Sequence, residues 1–150
     1  MEIKIISLGK FKSSNALKEI FSDYKKRINI ELKLVEARTY NFEKKKKLLY
    51  EKNEIIKHLS KDDCIVTLDK SGKDLSSQKF FEFLSAKMNS GIKRICFLIG
   101  SEEGIDDYFK NNQYVFSFGN KTWPHLLIRI MLIEQIYRSS QIMKGTSYHK

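Results

Sequence analysis

Two runs constrain this chain more than any other feature: residues 64–68 and 94–99 are nearly unbroken apolar stretches. A strand with one wet face alternates apolar and polar side chains, whereas a strand covered on both faces does not. Both runs therefore need cover above and below, and segments with helical spacing separate them from the other strand-like stretches. Such strand–helix alternation predicts an α/β fold with a largely parallel sheet and helices on both faces. Seven Gly and one Pro in 150 residues leave little turn chemistry for a hairpin-rich β sandwich, and this length suits a single domain over residues 1–150.

Residues 2–8 and 31–37 alternate as further strands, and residues 114–118 form another. Ser14 or Asn15 can cap a helix to about Ile28, with Leu17, Ile20, Phe21 and Tyr24 on one stripe. Residues 42–59 read as a charged helix around Lys44, Lys45, Lys46 and Lys47, for which a solvated face is preferred to an RNA contact. Lys70, Ser71, Gly72 and Lys73 are expected to turn the chain after the strand at 63–69. Ser76 or Ser77 starts a helix to about Asn89, with Phe80, Phe81, Leu84 and Met88 inward, and Gly91 stops it. Pro124 opens a last helix that Gly145 ends.

Lys and Arg number 28 against 18 Asp and Glu, a net charge of +10 that favours an acidic partner, with RNA ahead of a membrane surface. The strongest apolar run, residues 126–133, is interrupted by Arg129 and is too short for a bilayer span, and the N-terminus lacks a secretory pattern. A cytoplasmic protein without a membrane partner is expected. Cys64 and Cys96 sit inside apolar runs, as buried thiols do in a reducing compartment, and no paired ligands for a metal occur.

In a parallel sheet, ligands bind beyond the carboxyl ends of strands. Three such ends are marked: Leu68-Asp69, Ile99-Gly100, and the segment Phe118, Gly119, Asn120, Lys121, Thr122 and Trp123, and glycine at two of them would let a ligand approach the backbone closely. No P-loop or G-x-G-x-x-G spacing accompanies them. The last helix is apolar nearly all round over residues 126–133, which requires cover from the core and from a second subunit. Arg129 and Arg138 lie on it. Arg138 can pair with Glu134, or either arginine can face an anionic or developing-anionic substrate. Tyr148 and His149 gain meaning only if the tail is docked.

Ile99-Gly100-Ser101-Glu102-Glu103-Gly104, Ser117-Phe118, Lys121-Thr122-Trp123-Pro124-His125, Arg129, Glu134-Gln135-Ile136-Tyr137-Arg138 and Tyr148-His149-Lys150 closely resemble the RlmH family over the whole chain. Members of that family are SPOUT-class methyltransferases that use S-adenosylmethionine to methylate N3 of a pseudouridine in large-subunit (23S) ribosomal RNA. Many carry a second glycine where this chain has Ser101. The resemblance implies a C-terminal trefoil knot, a homodimer, and the ribosome as partner. It implies a cofactor pocket lined by Leu68, Gly100, Phe118, Gly119, Asn120, Lys121, Thr122 and Trp123. N3 must shed its proton as it attacks the methyl group, so a proton acceptor and a nearby cation are needed. His149 is the expected acceptor, with solvent water as the substitute; Tyr148 positions the base, and Arg138, then Arg129, is the cation. The rivals are a SPOUT-class enzyme acting on another RNA nucleotide and a non-catalytic RNA-binding protein.

Overall fold

The computed structural model describes residues 1–11 and 15–150; the Ser14 alternative for the first helix cap lies outside them. In chain order the elements are β1 (Glu2–Leu8), α1 (Asn15–Arg27), β2 (Glu31–Ala37), α2 (Lys44–Ile56), β3 (Cys64–Asp74), α3 (Ser77–Asn89), β4 (Arg94–Ile99), α4 (Asp107–Lys110), β5 (Tyr114–Ser117) and α5 (His125–Met143). The strands form one sheet in the order β2-β1-β4-β3-β5, and every pairing is parallel. All five carboxyl ends therefore share one edge of the sheet.

Both apolar runs are covered on both faces, as their composition requires. In β3, Cys64, Val66 and Leu68 join one core while Ile65 packs against the other; in β4, Ile95, Phe97 and Ile99 oppose Leu98, and in β1, Ile3 and Ile5 oppose Ile6 and Leu8. Helices α1, α3 and α5 cover the first face, where Phe21, Phe80, Leu84, Leu132, Ile133 and Ile136 are buried. Ile55 of α2 and Phe109 of α4 cover the second. Within α1, Ile20 departs from the expected stripe and is 43% exposed. On α3 Phe83, rather than the expected Phe81, joins Phe80 on the inward face, its ring 5.1 Å from that of Tyr114 and 5.0 Å from that of Phe116, and Met88 faces outward. The Ser76 hydroxyl caps α3 by accepting from the Lys79 amide at 3.2 Å.

One expected turn is a strand. β3 continues to Asp74, and the register is interrupted so that Leu68 and Lys73 both pair with Phe116. The chain bulges away from β5 and returns to it, and Gly72 makes the return possible because a Cβ there would stand 2.6 Å from the Val115 carbonyl. Turn-forming residue types mark this bulge as readily as a turn.

Candidate active site

At the carboxyl ends of β3, β4 and β5 the structure opens a cavity of about 370 Å³, within the size range of small-molecule sites. Leu68, Gly100, Phe118, Gly119, Lys121, Thr122 and Trp123 line it, as the sequence suggested; Asn120 does not, and is exposed. Local hydrogen bonds shape the wall after β5. The Ser117 hydroxyl donates to the Gly119 carbonyl at 2.9 Å, and the Trp123 indole donates to the Phe118 carbonyl at 3.1 Å. Gly119 has φ +90°, a left-handed conformation that suits glycine.

Gly100 has a different reason from the one expected. A Cβ at this position would overlap the Gly104 carbonyl, so the backbone approaching Gly100 is the protein's own rather than a ligand's. Ser101 and Gly104 close this tight loop with reciprocal amide–carbonyl bonds of 3.1 and 2.9 Å. The Ser101 side chain, where a glycine is common, donates to the buried Glu51 carboxylate at 2.9 Å. Glu51 also accepts from the Thr39 hydroxyl at 2.5 Å, tying the loop after β4 to α2.

The lining mixes charges of both signs. Burial alone would raise the Asp69 carboxyl, yet the Ser71 hydroxyl and amide and nearby Lys110 hold it below its ordinary range. Glu102 is held low chiefly by its hydrogen bond to Lys47. Lys47 is therefore buried against Glu102 and Glu51, unlike its three exposed neighbours in the lysine run. Lys44, Lys70, Lys110 and Lys121 supply positive charge around the rim. His125, at the first turn of α5, lines the cavity, and burial, then Arg129, push its imidazole below its ordinary value. Asp69 belongs to the strand end marked with Leu68, whereas Lys44, Lys110 and His125 were absent from the expected site. Only His125, just after Pro124 where a helix begins, carried a local sequence signal.

Arg129 corrects an expectation. Its side chain is 0% exposed, donates to the carbonyls of Leu8 and Gly9 at 3.1 and 2.8 Å, pairs with Glu36 at 3.2 Å and lies 4.6 Å from the Phe11 ring centre. A guanidinium so enclosed ties α5 to the loop after β1 and cannot meet a substrate.

The tail is docked, on α5 rather than in the cavity. Glu134 Oε1 accepts from Arg138 at 3.0 and 2.6 Å and from the Tyr148 hydroxyl at 3.1 Å. Arg138 Nη1 lies 3.3 Å from His149 Nδ1, and the Tyr148 ring packs edge-on to Tyr137 at 4.9 Å. Burial, with hydrogen bonds to Tyr24 and Glu134, pushes the Tyr148 phenol up to about 12, so it remains a proton donor at neutral pH. The structure thus brings Arg138, Tyr148 and His149 together. It does not bring them to the cavity of the same chain: α5 lines that cavity with His125 and Ile128, and Arg138 follows about 15 Å farther along the helix axis.

Among the described residues no cluster of three or more His, Cys, Asp or Glu side chains could hold a metal ion, and no helix is long and apolar enough to cross a membrane. Cys64 and Cys96 are buried free thiols, and burial, with the hydrogen bond to Asp63, pushes Cys96 up to about 12.

Comparison with known proteins agrees with this geometry. Proteins named ribosomal RNA large subunit methyltransferase H are similar along their whole length: the one from Caldicellulosiruptor bescii is 38% identical, covering 99% of both chains. Those from Carboxydothermus hydrogenoformans and Streptococcus agalactiae are 34% and 37% identical, covering all of both chains. The family model described as "Predicted SPOUT methyltransferase" matches residues 1–149. With a parallel sheet, a cavity at its carboxyl edge and this match, the chain belongs to the SPOUT methyltransferase family.

Proposed function

We propose that this protein methylates N3 of a pseudouridine in large-subunit ribosomal RNA, acting on the ribosome in the cytoplasm as a homodimer. The observation that carries the reading is the cavity at the carboxyl ends of β3, β4 and β5, whose residues suit S-adenosylmethionine. Leu68, Phe116 and Phe118 offer apolar cover for an adenine ring, and the loop after β5 offers backbone amides and carbonyls. Asp69 and Glu102, both held as carboxylates, balance a cationic ligand, while the rim lysines suit its carboxylate.

S-adenosylmethionine supplies an electrophilic methyl group. The protein's part is to position the base and manage one proton. His149 takes the proton from N3, Arg138 faces the negative charge that spreads onto the flanking carbonyl oxygens, and Tyr148 holds the base through its hydroxyl. Glu134 orients both Arg138 and Tyr148. Because these groups sit along α5 from their own cavity, a second subunit is the means of bringing a tail to each cofactor. Leu127, Ile130 and Met131 of α5 remain partly exposed in the single chain, an apolar surface suited to that contact. The trefoil knot belongs to the same proposal.

The test is transfer of labelled methyl from S-adenosylmethionine to ribosomes lacking the modification, followed by nuclease digestion and mass spectrometry. One methyl at N3 of a large-subunit pseudouridine is expected. Label on another nucleotide would select the related enzyme instead, and absence of S-adenosylmethionine binding would leave a non-catalytic RNA-binding protein.

A further inference from the structure

Two large aromatic side chains stand exposed on one flank: Phe42 is 38% and Tyr50 42% exposed. Tyr40 completes a three-ring cluster with them. Its ring lies 5.3 Å from that of Phe42 at an interplanar angle of 21°, and 5.3 Å from that of Tyr50; Phe42 and Tyr50 meet edge-on at 5.1 Å. Cations flank the rings. Arg38 lies 4.7 Å from the centre of Tyr40, and Lys46 lies 4.2 Å from that of Phe42 and 5.7 Å from that of Tyr50.

This cluster is not the core of α2, whose buried stripe is Lys47, Glu51 and Ile55. It is nevertheless held in place. The Tyr40 hydroxyl donates to Glu54 at 2.8 Å and its amide to Glu51 at 3.4 Å, while Glu43 accepts from the amides of Lys45 and Lys46 at the start of α2. The residues that carry it follow the carboxyl end of β2, so they share the sheet edge that holds the cavity. β2 and β4 are two strand spacings apart, about 10 Å, and Lys44 at the start of α2 lines the cavity itself.

We propose that Tyr40, Phe42 and Tyr50, with Arg38 and Lys46, form a platform on which an unpaired nucleotide of the RNA substrate, flanking the modified one, stacks. The proposal rests on the RNA-methyltransferase reading above. Unstacked bases bind aromatic faces and guanidinium planes, and adjacent cations neutralise the phosphates that follow. The lysine and arginine around the rings, on a chain of net charge +10, favour RNA over a protein partner, because lysine is depleted where proteins bury apolar surface against each other.

The double variant Phe42→Leu/Tyr50→Leu keeps apolar bulk and removes the stacking faces. Its melting is checked first, and its binding to a short single-stranded RNA of mixed sequence is compared by fluorescence anisotropy with that to an equally long ribose-phosphate oligomer without bases. Its KM for ribosomes is measured in parallel. RNA affinity is expected to fall about 5- to 150-fold, the worth of one base stack, with a matching rise in KM for ribosomes and unchanged affinities for S-adenosylmethionine and the base-free oligomer. Phe42→Trp is expected to retain RNA affinity. An unaltered KM for ribosomes, equal losses for both oligomers, or weaker ribosome binding with RNA affinity intact would overturn the platform. If the unsubstituted protein transfers no methyl to ribosomal RNA, the function reading fails and takes the platform with it; an active parent with an indifferent variant removes the platform alone.

Discussion

Arg129 is the bulkiest fully buried side chain among the described residues, and its partners lie about the loop after β1 and on β2. Replacing it with methionine leaves the carbonyls of Leu8 and Gly9 without this donor and deprives Glu36 of its cation, although the Phe11 amide still donates to that carboxylate at 2.7 Å. Breaking a buried pair costs about 3–5 kcal/mol, so Arg129→Met should lower Tm by on the order of 10 °C in calorimetry, with any fall in activity following the loss of fold. His125 gives a pH effect of definite sign. Its folded pKa lies below its ordinary 6.5 because of burial and Arg129, so the unfolded chain takes up the proton first. This contribution leaves stability intact above pH 6.5 and erodes it as pH falls below that value, towards the folded pKa. Denaturant titrations across this window should show a shallower slope for His125→Gln than for the parent. That Arg129 needed an acceptor was legible in its apolar neighbours. That the acceptor would be Glu36, 93 positions away, was not, because chain pattern encodes a residue's environment but not its long-range partner.

At the scale of elements, α5 and its tail divide structure from chemistry. Truncation after Gly145 removes the contacts of Tyr148 with Tyr137 and Glu134 but none of the buried core. The shortened protein should fold and bind S-adenosylmethionine, and single-turnover assays should show methyl transfer collapse. His149→Ala alone should lower turnover about 10²–10⁴-fold, the range for loss of a general base; full activity in the truncated protein would return the tail to an ordinary terminus. The helices and strands themselves were largely readable, since their apolar periods match the two cores. The continuation of β3 through Asp74 was not, because Lys70, Ser71, Gly72 and Lys73 carry the signature of a turn whether or not a strand resumes. The four-residue α4 was missed as well. It is too short to show a period, although the Asp106 side chain that caps it is plain in the sequence.

For the whole molecule, sedimentation should give a particle near twice 17.7 kDa, and mixed dimers test whether a site is shared between its subunits. Gly100 is a poor position for the cofactor-side lesion because substitution there disrupts the protein's own loop; Thr122→Trp, at an exposed residue lining the cavity, obstructs ligand without touching the core. Co-assembly of a Thr122→Trp subunit with a tail-truncated one should restore activity above that of either mutant homodimer, and no gain would place tail and cavity in the same chain. The sequence announced a parallel sheet but not its order, since neighbouring strands are specified by packing rather than by adjacency along the chain. That order bears on how the molecule forms. β1, at the very start of the chain, lies between β2 and β4, so one of its edges stays open during synthesis until residue 99 has been made. An all-parallel sheet has no local hairpin to nucleate it, and loop closure precedes every strand pairing. The emerging polypeptide therefore carries an apolar strand with an unpaired edge for two-thirds of its synthesis, which makes the nascent chain, rather than the finished fold, the form most exposed to aggregation and most dependent on chaperones.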